Sequence, residues 1–224
     1  MSFEERAGQR VVVKRTKPTT AFHEYILLST YTMISLLMGH PSAPPPADSI
    51  AKNEGKETRA SLARLGIPTP RLVSMSEGEL VEEFIEGGDL YRALASGAQH
   101  ALAFQAGALT GRLHGAGYVF TDNKAQNYLV SGESLLRTDL GFLQKSDSVY
   151  ARSMDVGSFL ASVIDLPGYR DVEQAFYEGY RREAGHNFPY LSIVIRNILS
   201  AGFASDTRMA LKNMMGDTGR LIAF

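Results

Sequence analysis

The stretch LHGAGYVFTDNKAQNYLV (Leu113–Val130), followed by SGESLLR and then TDLG (Thr138–Gly141), decides how this chain is read. Asp122, Lys124 and Asn127 form D-x-K-x-x-N, and Asp139 opens D-L-G shortly afterwards. These residue types at this spacing suit the transfer of a phosphoryl group from ATP. A carboxylate at Asp122 can orient an attacking hydroxyl and accept its proton. Asn127 and Asp139 offer oxygens to Mg²⁺, a hard cation that prefers oxygen ligands. Lys124 can reach the transferring phosphate and offset the charge developing on it.

Working outward, apolar residues at helical spacing precede the motif from Ala101 to His114. Two short strand-like runs come after it, Tyr128 to Val130 and Leu135 to Leu136. The bland alternative is a hairpin whose loop carries ionisable residues, since Asp and Asn near Lys are common in polar turns. The order of helix, polar loop, hairpin and metal-binding turn weighs against it.

Bulk composition narrows the function class. A chain of 224 residues can form one sizeable domain or two small lobes sharing a cleft. Hydrophobic content of 44% and charged content of 21% are ordinary for a globular protein. The net charge of −1 argues against direct nucleic-acid binding, which needs a basic excess to displace counterions. The absence of cysteine excludes disulfides, thiolate catalysis and thiolate zinc sites, and the five histidines are scattered. The first ten residues, MSFEERAGQR, do not read as a secretory signal, so the expected location is cytoplasmic. Ala21 to Gly39 is mostly apolar but carries His23 and Glu24, which favours a buried or amphipathic helix over a membrane span. Membrane contact through 21–39 is the lesser alternative.

Along the chain, Arg10 to Arg15 (RVVVKR) reads as a strand and Ala21 to Leu37 as a helix. The helix ends at Gly39, and PSAPPPAD (41–48) is a proline-rich loop. A second helix is expected from Ala51 to Leu65, with Gly66 at its C-terminal cap and Pro68 and Pro70 enforcing an extended exit. Strands are expected over Arg71 to Met75 and Glu79 to Ile85. Asp89 makes an N-cap for a helix over Leu90 to Ala95. Tyr169 to Arg182 and Leu191 to Ala201 read as amphipathic helices, and Arg208 to Met215 as core, tail or partner contact.

These residues together resemble the protein-kinase-like superfamily, in its short atypical branch. That branch holds the small kinase of the KEOPS complex, the RIO kinases, lipopolysaccharide-type kinases and aminoglycoside phosphotransferases. The resemblance runs over Val11 to Val163 and is strongest at Glu57 to Glu86 and Leu113 to Gly141. It implies an α+β, two-lobed kinase-like fold in one domain spanning 1–224. The reduced N-lobe would be 1–86, with a helical insertion at 21–39, and the mainly helical C-lobe 87–224. Position by position, Lys14 resembles the strand lysine that contacts the α- and β-phosphates. Glu57 resembles the helix glutamate that pairs with it, with Glu54 as the fallback. The backbone from Glu83 to Ile85 would meet the adenine edge, and Asp89 could reach the ribose. Asp155 is similar to the helix aspartate that braces the catalytic loop from behind.

Three departures qualify the resemblance. No glycine-rich loop precedes Lys14; only Gly8 is available, and thirteen residues are expected to be too few for a full two-stranded cover. Phe120 and Thr121 replace the usual histidine and arginine before the catalytic aspartate. Asp139 to Asp155 is too short for a long activation segment. Glu82 also falls where an apolar residue usually lines the back of the adenine pocket. The expected function is an ATP- and Mg²⁺-dependent atypical serine/threonine kinase acting on a protein or small-molecule hydroxyl, under a regulatory protein partner. The alternatives are a pseudokinase that displays a nucleotide-gated binding surface, and a sugar or lipid-saccharide kinase.

Overall fold

The computed structural model describes residues 2–6, 8–15, 18–46, 49–97, 100–185 and 189–202, so the expectation for Arg208 to Met215 lies outside it. A four-stranded antiparallel sheet opens the chain. Its strands are β1 (Ser2–Arg6), β2 (Gln9–Arg15), β3 (Leu72–Ser76) and β4 (Glu79–Glu83), in the order β1-β2-β4-β3. β2 is branched along its middle, and Val11 and Val13 bury with Val81 of β4 as a small apolar cluster.

Among the described residues one strand, β1, precedes the strand that carries Lys14; the sequence reading did not include it, and the two pair with Ser2 opposite Val13 and Arg6 opposite Gln9. Polar SFEER masked the strand, because its stabilisation is cross-strand and ionic. Arg6 reaches Glu79 of β4, Arg15 of β2 reaches Glu4 and Glu79, and Arg6 also pairs with Glu4 along β1.

The expected 51–65 helix is two. α2 (Ser49–Asn53) and α3 (Lys56–Arg64) are broken at Glu54-Gly55. α3 ends as expected on Gly66, which adopts φ +67°, while Ile67 N–H bonds Leu62 O at 2.9 Å and Gly66 N–H bonds Ala63 O at 2.9 Å. These two hydrogen bonds satisfy carbonyls that the helix end leaves free.

α1 (Pro18–Leu37) leaves the sheet and packs on the helical part of the molecule. Tyr31 and Ile34 bury with Val119, Tyr150, Met154 and Ile195. The Tyr150 hydroxyl donates to Tyr31 O at 2.6 Å, and the two rings meet edge to face. The 18–46 segment thus ties the sheet half of the chain to the helical half.

The helical part comprises α4 (Leu90–Ala95), α5 (His100–Gly115), α6 (Val149–Ser162), α7 (Tyr169–Ala184) and α8 (Ser192–Gly202). Two short ribbons interrupt it: β5 (Tyr118–Val119) with β8 (Gln144–Lys145), and β6 (Tyr128–Ser131) with β7 (Ser134–Arg137). α5 and α7 approach through glycine. A Cβ on Gly107 would strike the Phe176 carbonyl, and one on Gly179 the Phe104 carbonyl. Gly107→Ala or Gly179→Ala should therefore force the helices apart and cost about 1–3 kcal/mol, the usual penalty of overpacking. A urea midpoint unchanged in both variants would contradict this close approach. The architecture is α+β, with small sheets and a mainly helical remainder.

Candidate active site

Asp122, Lys124 and Asn127 lie between β5 and β6, on a loop whose last residues form a single 3₁₀ turn (Ala125–Asn127). Asp155 of α6 holds that loop from beneath. Its two carboxylate oxygens accept from Phe120 N–H and Thr121 N–H, each at 2.6 Å, and Oδ2 also lies 3.1 Å from His114 Nε2. His114 continues to the Tyr180 hydroxyl at 2.9 Å. The expected bracing role of Asp155 has this geometry, and His114 is a buried link in it. Thr121 sits at φ +67°, a left-handed conformation that a β-branched residue rarely adopts. The Asp155 clamp accounts for its persistence there.

Two buried groups support the loop from the other side. Arg137, fully buried at the end of β7, donates to Asp122 O at 2.8 Å and Asn127 O at 3.3 Å. Its guanidinium lies over the Phe120 ring at 4.2 Å and near Tyr128. Asn123 is wholly buried and joins the Tyr128 hydroxyl, Thr110 and Asp155 O. Sequence reasoning missed both. The available signal for Arg137 was a cation closing an apolar strand directly before TDLG.

On this frame the Asp122 carboxylate is held at both oxygens. Lys124 Nζ is 2.8 Å from Oδ1, and Asn127 Nδ2 is 3.4 Å from Oδ2 and 2.8 Å from Asp122 O. With its amide nitrogen turned to Asp122, Asn127 keeps Oδ1 as its remaining acceptor. Asp139 adopts φ +54° after β7 and is half exposed. Its Oδ1 accepts from Lys14 Nζ at 2.6 Å. Burial pushes the Asp139 carboxyl up, but the charge and hydrogen bond of Lys14, with Arg137 and Lys124, reverse this and leave it below the usual range. Lys124 is therefore in electrostatic reach of both carboxylates. Lys124 and Asn127 are joined to Asp122, and Lys14 to Asp139; Thr138 N–H bonds Asn127 O at 3.0 Å, which sets the two groups side by side.

Lys14 departs from expectation in its partners. Glu57, expected to pair with it, is exposed on the first turn of α3. Lys14 instead bonds Asp139, Thr138 Oγ1 at 2.9 Å and Glu82 Oε2 at 3.0 Å. The fallback Glu54 is the acidic group at this helix junction that faces the site. Its Oε1 accepts from Leu140 N–H at 2.7 Å and Gly141 N–H at 3.1 Å, and its charge reaches Lys14. Glu57 misses because the break at Glu54-Gly55 turns the following helix surface outward. Burial by itself would depress the Lys14 ammonium, yet Asp139, Glu82 and Glu54 raise it above the ordinary lysine value. Burial raises the Glu54 carboxyl, and Lys14 offsets only part of that. Asn53 completes the grip on the D-L-G turn, donating to Gly141 O at 2.8 Å and Leu143 O at 2.7 Å.

The remaining expected residues lie on β4 and on the segment joining it to α4. Glu83 N–H is engaged with Arg71 O at 3.0 Å, and its carboxylate accepts from Arg71 N–H at 2.8 Å. Among the described residues the backbone of Ile85 bonds no other group. Asp89 caps α4, accepting from Arg92 N–H at 2.9 Å. Among the described residues no three His, Cys, Asp or Glu side chains gather as a metal cluster. Asn127 and Asp139 fit Mg²⁺ in another way: two oxygen donors leave positions for water and phosphate oxygens, as this ion requires. Among the described residues no helix is long and apolar enough to cross a membrane.

No protein-family model matches the chain. It is 31% identical over 138 residues to the "Probable bifunctional tRNA threonylcarbamoyladenosine biosynthesis protein" of Methanosarcina acetivorans, covering 59% of this chain and 24% of that protein. It is 26% identical over 123 residues to the "Probable serine/threonine-protein kinase BUD32 homolog" of Archaeoglobus fulgidus, covering 54% of this chain and 61% of that protein. The chain thus spans about a quarter of the bifunctional relatives it matches. Among solved structures, WaaP in complex with acyl carrier protein aligns at a TM-score of 0.47 and 17% identity, over 66% of this chain and 75% of that one. The sequence relatives bear out the likeness of this chain to the short atypical branch of the protein-kinase-like superfamily.

Proposed function

We propose that this chain transfers the γ-phosphoryl group of ATP to a hydroxyl acceptor, as an atypical serine/threonine protein kinase. The observation that carries the reading is the pair of adjoining groups: Asp122 with Lys124 and Asn127, and Asp139 with Lys14 reaching it from the sheet, joined where Thr138 N–H bonds Asn127 O at 3.0 Å. On this reading residues 1–86 act as the small lobe and residues from 87 onward as the large one. Asp122 orients the acceptor hydroxyl and takes its proton. Lys124 sits where it can meet the phosphoryl oxygens as negative charge shifts among them. Lys14 draws the nucleotide phosphates towards the crevice, while the backbone edge at Ile85 meets the base and Asp89 lies near the ribose. Asn127 and Asp139 would hold Mg²⁺, which supplies charge neutralisation at the phosphates. Positioning and electrostatics then carry most of the rate, with little covalent chemistry for the protein.

The likeness to a serine/threonine kinase homologue and the retained Lys124 favour a protein acceptor, with a regulatory protein partner in place of a phosphorylated activation segment. The lack of a glycine-rich loop motivates the second reading, a nucleotide-gated binding module without turnover. The deciding experiment measures Mg²⁺-dependent ATP turnover and autophosphorylation on the purified chain across protein and sugar acceptors. Turnover is expected in the unmutated chain. Asp139→Asn should abolish it and remove the strengthening of ATP binding by Mg²⁺. Undetectable turnover with every acceptor, alongside firm ATP binding, would favour the binding module.

A further inference from the structure

Glu82 is a carboxylate buried in the middle of the sheet, at 2% exposure. It lies in β4, which is paired on both sides, with Glu82 opposite Val12 of β2. Oε2 is 3.0 Å from Lys14 Nζ and 3.5 Å from Thr138 Oγ1; Oε1 is 2.5 Å from Arg59 Nη2. A buried carboxylate is tolerated when both oxygens are paired, and these are. Arg59 is itself buried and fixed by Pro70 O at 2.6 Å and Glu54 O at 3.2 Å. The same Nη2 lies 3.3 Å from Glu54 Oε2, so the guanidinium links Glu82 to Glu54 and holds the Glu82 carboxylate from the end opposite Lys14.

We infer that Glu82, anchored by Arg59, is the positioning carboxylate for Lys14, holding its ammonium beside Thr138 and Asp139. The lysine is placed from within the sheet, and α3 acts on it only through Arg59. The inference rests on the phosphotransferase reading in one respect, that the phosphates of a nucleotide are what Lys14 meets.

The test compares binding of ATP, ADP and adenosine to the whole chain by calorimetry. In Glu82→Gln, ATP and ADP should bind at least tenfold more weakly, while adenosine stays within twofold, because only the phosphates meet Lys14. Loss of one partner of a buried pair can prevent folding, so the second variant is Glu82→Met with Arg59→Met. Replacing a buried pair by apolar residues of similar size is often neutral for stability. It should fold, as judged by circular dichroism, and show the same phosphate-selective weakening.

Unchanged ADP affinity in both variants would overturn the inference, as would equal weakening of adenosine and ADP. So would loss of ADP affinity in Glu57→Gln with Glu82→Gln unaffected. Should the unmutated chain bind no nucleotide, the phosphotransferase reading fails by itself. The placement of Lys14 is then read by carbon-13 reductive methylation, its signal identified with Lys14→Arg. Movement of that signal towards those of exposed lysines in Glu82→Gln supports the inference; an unmoved signal refutes it.

Discussion

Asp122→Asn is expected to lower phosphoryl transfer by about 10²–10⁴-fold, the usual contribution of a positioned general base, while ATP binds nearly as before. The asparagine keeps the size of the side chain and can still face Lys124 and Asn127, which hold the native carboxylate at 2.8 and 3.4 Å. It cannot accept the acceptor's proton. The backbone of the loop is held independently, through Arg137 to Asp122 O and through Asp155 to Phe120 and Thr121. The loss should therefore fall on the turnover number, with ATP affinity spared. Single-turnover kinetics with a radiolabelled γ-phosphate and an equilibrium ATP titration separate the two. Full turnover in the variant would remove Asp122 from the chemistry.

Asp155→Ala should be the most damaging single change to stability. The side chain is wholly buried and accepts two backbone N–H groups at 2.6 Å, with His114 on the same oxygen. Truncation leaves both donors in a site closed to water, at about 1–3 kcal/mol for each unsatisfied group. Against a typical total stability of about 5–15 kcal/mol, that is a large share. Thr121 would also lose the contact that accounts for its left-handed backbone. Equilibrium urea unfolding should show a fall of about 2–6 kcal/mol from these two donors, and surviving folded protein should turn over poorly because the loop carrying Asp122 has relaxed. A variant with unchanged unfolding midpoint would mean that the clamp adds nothing to the fold.

Much of this was legible in the primary structure. The D-x-K-x-x-N loop, the D-L-G turn, the Gly66 helix stop and the Asp89 cap rest on residue types whose local preferences act within a few positions. The misses have a common cause. β1 was hidden because SFEER carries no apolar alternation, and it is paired through ions contributed by β2 and β4. The helix break at Glu54-Gly55 was hidden because Glu54 is drawn to the backbone of Leu140 and Gly141, far along the chain. Arg59 and Arg137 are buried by partners that lie far from them in the chain, so their own neighbours gave no sign of it.

The sequence by itself determined the chemistry present: which acids, amide and lysine could serve a phosphate and a metal, and their order along the chain. Spacing within one loop is a local property, so it survives without knowledge of the rest. The tertiary structure alone decided the partners of Lys14, turning Glu57 outward and bringing Glu82 and Glu54 inward. A buried charge takes its partner from whatever oxygen the folded sheet and helices bring within reach, and residues far apart in the chain become neighbours only when the core has formed.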